Sequence, residues 1–236
     1  MNEVVAIVEG ETEQTFVRDQ IAAHLGARGI AIWAVLPGRD RRRGGVKKWA
    51  AARADIIRTL RERRFCTTMF DFYAMPMDWP GRDEASRLPW NRRAAHVEEK
   101  LLAAIAEEMG DRFQPRFFIP YVQLHEFEAL LFANIDALSL VIAALRNRSA
   151  ADLASQFAAI LKEAGSPEAI GDGRDTCPSR RIEAIESAYR KRIHGPIVAN
   201  RIGLNVLRRE CLHFASWLER LEAIQSEAES NDTANS

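Results

Sequence analysis

The chain has 236 residues, 47% hydrophobic and 28% charged, enough for one large domain or a compact core with an appended smaller lobe. Lys plus Arg number 33 and Asp plus Glu number 33, so bulk charge points to neither a nucleic-acid nor a membrane partner, and any such partner has to be argued from local clusters. Cys66, Cys177 and Cys211 are far apart and form no CxxC pair, which leaves no basis for a disulfide framework or a cysteine zinc site. No run approaches the ~20 apolar residues of a membrane span, and no basic stretch leads into an apolar core at the start. The expected compartment is the reducing cytoplasm.

Val4–Val8 is short, β-branched and apolar at successive positions, as a strand covered on both faces is. Phe16, Val17, Ile21 and Leu25 then recur at helical spacing, with Thr12 as a candidate cap and Gly26 and Gly29 as the stop. A second strand is expected at Ile30–Leu36, broken by Pro37-Gly38. Residues 46–64 predict a helix striped with Trp49, Ile56, Ile57 and Leu60. "FCTTMFDFY", residues 65–73, predicts a third strand ending near Asp71, and the proline-rich "AMPMDWPGRDEASRLPW" predicts a loop. A helix over 96–109 precedes "RFFIPYVQL", a fourth strand running into His125, Glu126, Phe127 and Glu128. This alternation over 1–133 predicts an α/β layer with a largely parallel sheet. Segments 136–147, 150–164, 180–193 and 204–225 are helix-like and predict a helical lobe over 134–225, followed by a disordered tail, "SEAESNDTANS", at 226–236. Trp33, Trp49 and Trp217 sit in apolar stripes and are expected in the core. Trp79 and Trp90, in the loop, are candidates for base stacking or a protein interface.

Chemistry in an open parallel sheet gathers outside the carboxyl ends of its strands. Three of the four expected strands end in acids: Glu9, Asp71 and the pair Glu126 and Glu128. Glu13, four residues beyond Glu9, shares its face if the helix starts early, whereas Glu11 reads as a solvated charge. Carboxylates converging on one crevice repel each other, and hard divalent cations such as Mg²⁺ or Mn²⁺ relieve that repulsion. Two such ions about 4 Å apart can activate water and stabilise the leaving oxygen in phosphodiester hydrolysis. His125, beside Glu126, could orient a water or be purely structural. Basic residues cluster at Arg39, Arg41, Arg42, Arg43, Lys47 and Lys48, a glycine-containing run suited to tracking a phosphate backbone. Arg180, Lys191 and His194 are further cations that could stabilise charge on a phosphate. No GxxxxGK[ST] loop is present, so the sequence offers no ATP site of that kind.

"VVAIVEGETE" followed by "TTMFDFY" resembles the Toprim domain, and the spacing of Glu9 and Glu13 resembles the Toprim nucleases of the overcoming-lysogenization-defect family. With "FDFYAMPMDWPG", "YVQLHEFEALLF" and "GLNVLRRECLHFASWL", nearly the whole chain is similar to an uncharacterised Toprim-like bacterial family encoded beside ABC- or AAA-type ATPases in phage-defence loci. The resemblance implies a Toprim-like core in which Glu9 serves both metal binding and proton transfer. It makes Glu13, Asp71 and one or both of Glu126 and Glu128 ligands of Mg²⁺ or Mn²⁺. The usual Asp-x-Asp reads Asp71-Phe72-Tyr73 here; a neutral Tyr is a poor hard ligand, and Asp78 or Glu126 are the acids available in its place. Two readings follow. One is a Mg²⁺-dependent nuclease acting on DNA or RNA as a defence effector, governed by a partner ATPase, with oligomerisation left open. The other is a non-catalytic Toprim-like subunit of the ATPase complex. A primase- or topoisomerase-like strand transferase is the weakest, since no additional nucleotide-binding or tyrosine-bearing domain is apparent.

Overall fold

The computed structural model describes residues 2–38, 48–171, 173 and 175–224. The basic positions Arg39, Arg41, Arg42, Arg43 and Lys47 and the 226–236 tail lie outside these residues. β1 (Asn2–Val8) leads into α1 (Glu11–Phe16), a π-helical turn at Val17–Ile21 and α2 (Ala22–Gly26). Next come β2 (Ile30–Val35), α3 (Trp49–Arg61), β3 (Phe65–Asp71), the short α4 (Arg82–Ser86) and α5 (Trp90–Met109). The sheet closes with β4 (Phe118–Ile119) and β5 (Val122–Gln123), both on β3, giving the order β2-β1-β3-β4 with every pair parallel.

β1 is central, which explains why it is apolar at consecutive positions. Val4, Ala6 and Val8 pack toward α1 and α2, while Val5 and Ile7 pack toward α3 and α5. The expected fourth strand is interrupted at Pro120, which has no N–H to donate. Thr68 Oγ1 spans the gap, accepting from Tyr121 N and donating to Tyr121 O, each at 2.9 Å. Thr67 donates to Ile119 O at 2.6 Å and accepts from Trp217 Nε1 at 2.8 Å, tying the C-terminal helices to the sheet.

The helical segment comprises α6 (Ile135–Ala144), α7 (Ala150–Ala164), α8 (Pro178–Ile185), α9 (Lys191–Ile202), α10 (Leu204–Glu210) and α11 (Leu212–Glu222). Its Phe157, Phe214 and Trp217 share one core with Val4, Phe16 and Phe127, so these helices form a layer on the sheet. Several expected boundaries differ. The 180–193 helix is the end of α8 and the start of α9, and α9 continues through Pro196. The 204–225 helix is divided at Cys211, and the segment after Glu126 is a 3-10 helix, Phe127–Ala133. Trp217 is buried as expected, but Trp33 is 37% exposed beneath the Arg64 guanidinium. Trp79 is 2% exposed, packed on Trp49 and Phe70, and is not available to stack on a base.

No single helix among the described residues is long and apolar enough to cross a membrane. The bent pair that passes on composition, Phe127–Ala133 with α6, turns by 109°.

Candidate active site

From β1 the chain passes to β2 on one side and, by way of α3, to β3 on the other. A crevice therefore opens at the carboxyl ends of β1 and β3. Glu9 N donates to Met69 O and Asp71 N donates to Glu9 Oε2, both at 3.0 Å, so the two strand tips are joined through the Glu9 carboxylate. α1 starts at Glu11 with Gly10 as its cap, which places Thr12 inside the helix rather than at its cap. Gly10 has an extended backbone open to any residue; what it supplies is room, since a Cβ there would lie 3.2 Å from Glu13 Oε2. Glu13 thereby folds back over the strand tip.

The fourth-strand acids part company. Glu126 is extended and turns to α8, where Ser179 N donates to its Oε2 at 3.0 Å. Glu128, in the first turn of the 3-10 helix, faces the crevice. The result is a cleft of about 200 Å³ lined by Glu9, Glu11, Thr12, Glu13, Asp71, Glu128, Lys191 and Arg192. Lys191 Nζ donates to Glu126 Oε1 at 3.0 Å and pairs with Glu128 Oε2 at 3.3 Å. Tyr189 donates to Glu128 Oε1 at 3.3 Å. The helix carrying Lys191 reaches this close because Gly195 meets α1 without a side chain; a Cβ there would stand 3.3 Å from Thr12 Cγ2.

Four carboxylates in a small buried space, with one ammonium among them, hold on to protons. Burial raises Glu9 to about 7, with Glu126 and Glu128 adding to it against the Asp71 N–H and Lys191. Burial, then Glu9, raises Glu13 to about 8. Asp71 is pushed well above the carboxylate range by burial and by Glu9, Glu13 and Glu128. Burial also raises Glu128, against the pull of Lys191. Glu126 goes the other way: burial pushes it up, but Lys191 and the Ser179 donors outweigh that and hold it below its usual value. Burial would lower Lys191, yet Glu128, Glu126 and Asp71 keep it charged.

Of the acids expected at the strand tips, Glu9, Glu13, Asp71 and Glu128 line the cleft, while Glu126 lies behind it on Ser179 and Lys191. His125 is buried in the left-handed region (φ +62°) with its ring near Trp90, and it does not line the cleft. Asp78 does not stand in for the second aspartate; its Oδ2 accepts from Trp49 N at 3.2 Å. Arg180 is exposed and paired with Glu183, His194 Nδ1 accepts from Arg190 N, and Lys48 is exposed beside the start of α3. Tyr189 and Arg192 are site residues that the sequence pattern does not single out. Both lie in the basic stretch "YRKR", but only the fold brings Arg192 to the rim, where it pairs with Glu11 at 3.4 Å.

Hard oxygen donors suit Mg²⁺ or Mn²⁺, and Asp71 Oδ1 is buried with no hydrogen-bond partner among the described residues. The carboxylates are not arranged as a finished cage, however: among the described residues no three His, Cys, Asp or Glu side chains are set to hold a metal ion together. The donor chemistry fits the ion.

A family model described as a domain of unknown function, DUF4276, matches residues 8–222. No curated protein matches the sequence. Among solved structures, the chain is similar to the C-terminal region of the OLD protein of Xanthomonas campestris pv. campestris, with 16% identity, 97% of each chain covered and a TM-score of 0.47.

Proposed function

The chain belongs to the DUF4276 family, and for this member we propose a divalent-metal-dependent nuclease that hydrolyses phosphodiester bonds of DNA or RNA. The observation that carries this reading is the convergence of Glu9, Glu13, Asp71 and Glu128 on one cleft where a neighbouring carboxylate or burial leaves them short of positive charge. Glu9, Glu13 and Asp71, with Glu128 beside them, are the residues that would hold Mg²⁺ or Mn²⁺. Such an ion, when bound, supplies charge neutralisation and a water of lowered pKa.

The protein's own groups take the remaining roles. Glu9, pushed up to about 7 by burial in the metal-free cleft, is the group assigned proton transfer. Lys191 spends two N–H groups on Glu126 and Glu128 and keeps one for a phosphate oxygen, where it stabilises developing charge. It also neutralises acids that a second metal would otherwise claim, which, together with Tyr73 in place of an aspartate, favours one ion per site. Arg192 at the rim is placed for a backbone phosphate. In the Toprim-like reading the enzyme is a cytoplasmic defence effector whose access is controlled by a partner ATPase.

Nuclease activity of the wild type, Glu9→Ala and Asp71→Ala with Mg²⁺ or Mn²⁺, with and without the partner, tests this. Loss of activity in both folded variants supports it; activity unchanged in both overturns it.

The second reading, a non-catalytic subunit of the ATPase complex, is favoured by a different observation. Ile193 and Ile197, one turn apart on α9, are 59% and 49% exposed just beyond the cleft and offer an apolar docking face. A folded complex that shows no metal-dependent cleavage yet depends on these isoleucines would select it.

A further inference from the structure

At the opposite, amino-terminal end of the sheet lies a second cleft, of about 490 Å³, between the end of α3 and the end of α5. It is roughly 20 Å from the acidic site, the length of the seven-residue β3. Arg61, Arg63 and Arg112 line it over a floor of Leu60 and Met109. We propose that this cleft binds a nucleoside monophosphate, its phosphate held by the three guanidiniums and its base laid on the apolar floor.

Three features carry the assignment. First, none of the three guanidiniums has a hydrogen-bond or ion-pair partner among the described residues, unlike Arg58, which pairs with Asp55, and Arg53, which pairs with Glu108. Two helix C-termini end at the cleft, each worth about half a negative charge, so three unit charges leave a surplus of about two that an anion would neutralise. Second, Arg63 occupies a position that normally falls to glycine. It has φ +57°, and its N–H and that of Arg64 close α3 onto Leu60 O and Thr59 O. A large side chain is thus kept in the left-handed region, where it is strained, while lining the charged cleft. Third, the volume and chemistry suit a mononucleotide: Leu60 and Met109 meet a base face, and the Gln114 amide N–H groups offer donors to a base edge, its Oε1 accepting from Arg116 at 3.5 Å and the Phe117 ring lying under the Arg116 guanidinium.

The test is calorimetry and thermal melting of the full chain with AMP, GMP, CMP and UMP, with adenosine and inorganic pyrophosphate as controls. At least one monophosphate is expected to bind and to raise the melting temperature, with adenosine far weaker. Arg63→Gly is expected to lower that affinity by about 10-fold or more while the unliganded protein melts at or above the wild-type temperature, because glycine relieves the left-handed strain. Mg²⁺ binding at the acidic cleft should be unchanged in Arg63→Gly. The proposal is overturned if no monophosphate binds at about 5 mM, or if Arg63→Gly binds as the wild type does. Pyrophosphate binding as tightly as the nucleotides would also overturn it, since the apolar floor would then have no role. So would an oligonucleotide whose affinity falls in Arg63→Gly while the mononucleotides show no binding.

Discussion

Replacing Glu13 by glutamine removes one buried carboxylate from the acidic cleft and keeps its volume. Burial and Glu9 raise Glu13 from 4.5 to about 8. A raised acid weakens the fold as pH climbs: the loss starts above the unfolded-chain value and is complete above the folded one. At about 1.4 kcal/mol per pH unit, the interval from 4.5 to about 8 corresponds to roughly 5 kcal/mol. Glu9, itself raised to about 7, shares the repulsion, and a proton on either acid relieves the other. About half, 2–3 kcal/mol, is therefore the expected gain of Glu13→Gln at pH 8, or about 5–10 °C for a chain of this size. The assay is thermal melting of metal-free wild type and variant from pH 5 to 9, with and without Mg²⁺. The two should coincide near pH 5 and diverge toward pH 8, and Mg²⁺ should stabilise the wild type much more than the variant. A variant no more stable than the wild type at pH 8, or equally stabilised by Mg²⁺, would refute the reasoning.

Lys191→Met removes the counter-charge of Glu126 and Glu128 and should cost about 3 kcal/mol in a melt at pH 7, where Lys191 is fully charged in both states and its contribution is complete. It should also abolish cleavage if the nuclease reading holds. Glu168→Ala takes away the carboxylate that accepts from His213 N and Phe214 N at the start of α11, and should cost about 2 kcal/mol in denaturant unfolding. Trp217→Phe deletes the bond to Thr67 Oγ1 beneath the broken strand and should cost about 1–2 kcal/mol by the same measurement. Ile197→Glu, on an exposed face, should leave stability within about 0.5 kcal/mol and, if the docking-face reading holds, weaken co-purification with a partner ATPase.

The strands were legible because they are buried on both faces: Val4–Val8 is apolar at every position and Phe65–Asp71 is apolar or β-branched up to Asp71, a pattern that a half-exposed strand or a surface helix does not produce. Their acidic ends were legible for the same reason, since a carboxylate directly after such a run falls at a strand tip. Pro120 carried the break between β4 and β5, but its repair by the Thr68 hydroxyl depends on a partner strand that no local window contains. Helix boundaries near Pro196 were misplaced because Gly195-Pro196 reads as a stop. The proline instead lies within α9, and the glycine serves the contact with α1. Lys191 could be named as a candidate cation, but its partners Glu126 and Glu128 are more than 60 positions away, and only tertiary packing brings them together. That Glu128 lines the cleft while Glu126 turns to α8 depends on one local event, the onset of the 3-10 helix at Phe127, which periodicity does not resolve over so few residues.

The central claim is that the strand-tip acids take up a divalent cation. Counting bound Mn²⁺ by electron paramagnetic resonance at pH 8, alongside proton release, tests it most directly. The account predicts one Mn²⁺ per chain, protons released on binding, and loss of the bound ion in Asp71→Asn and Glu9→Gln. No bound Mn²⁺, or binding that survives both substitutions, would contradict it.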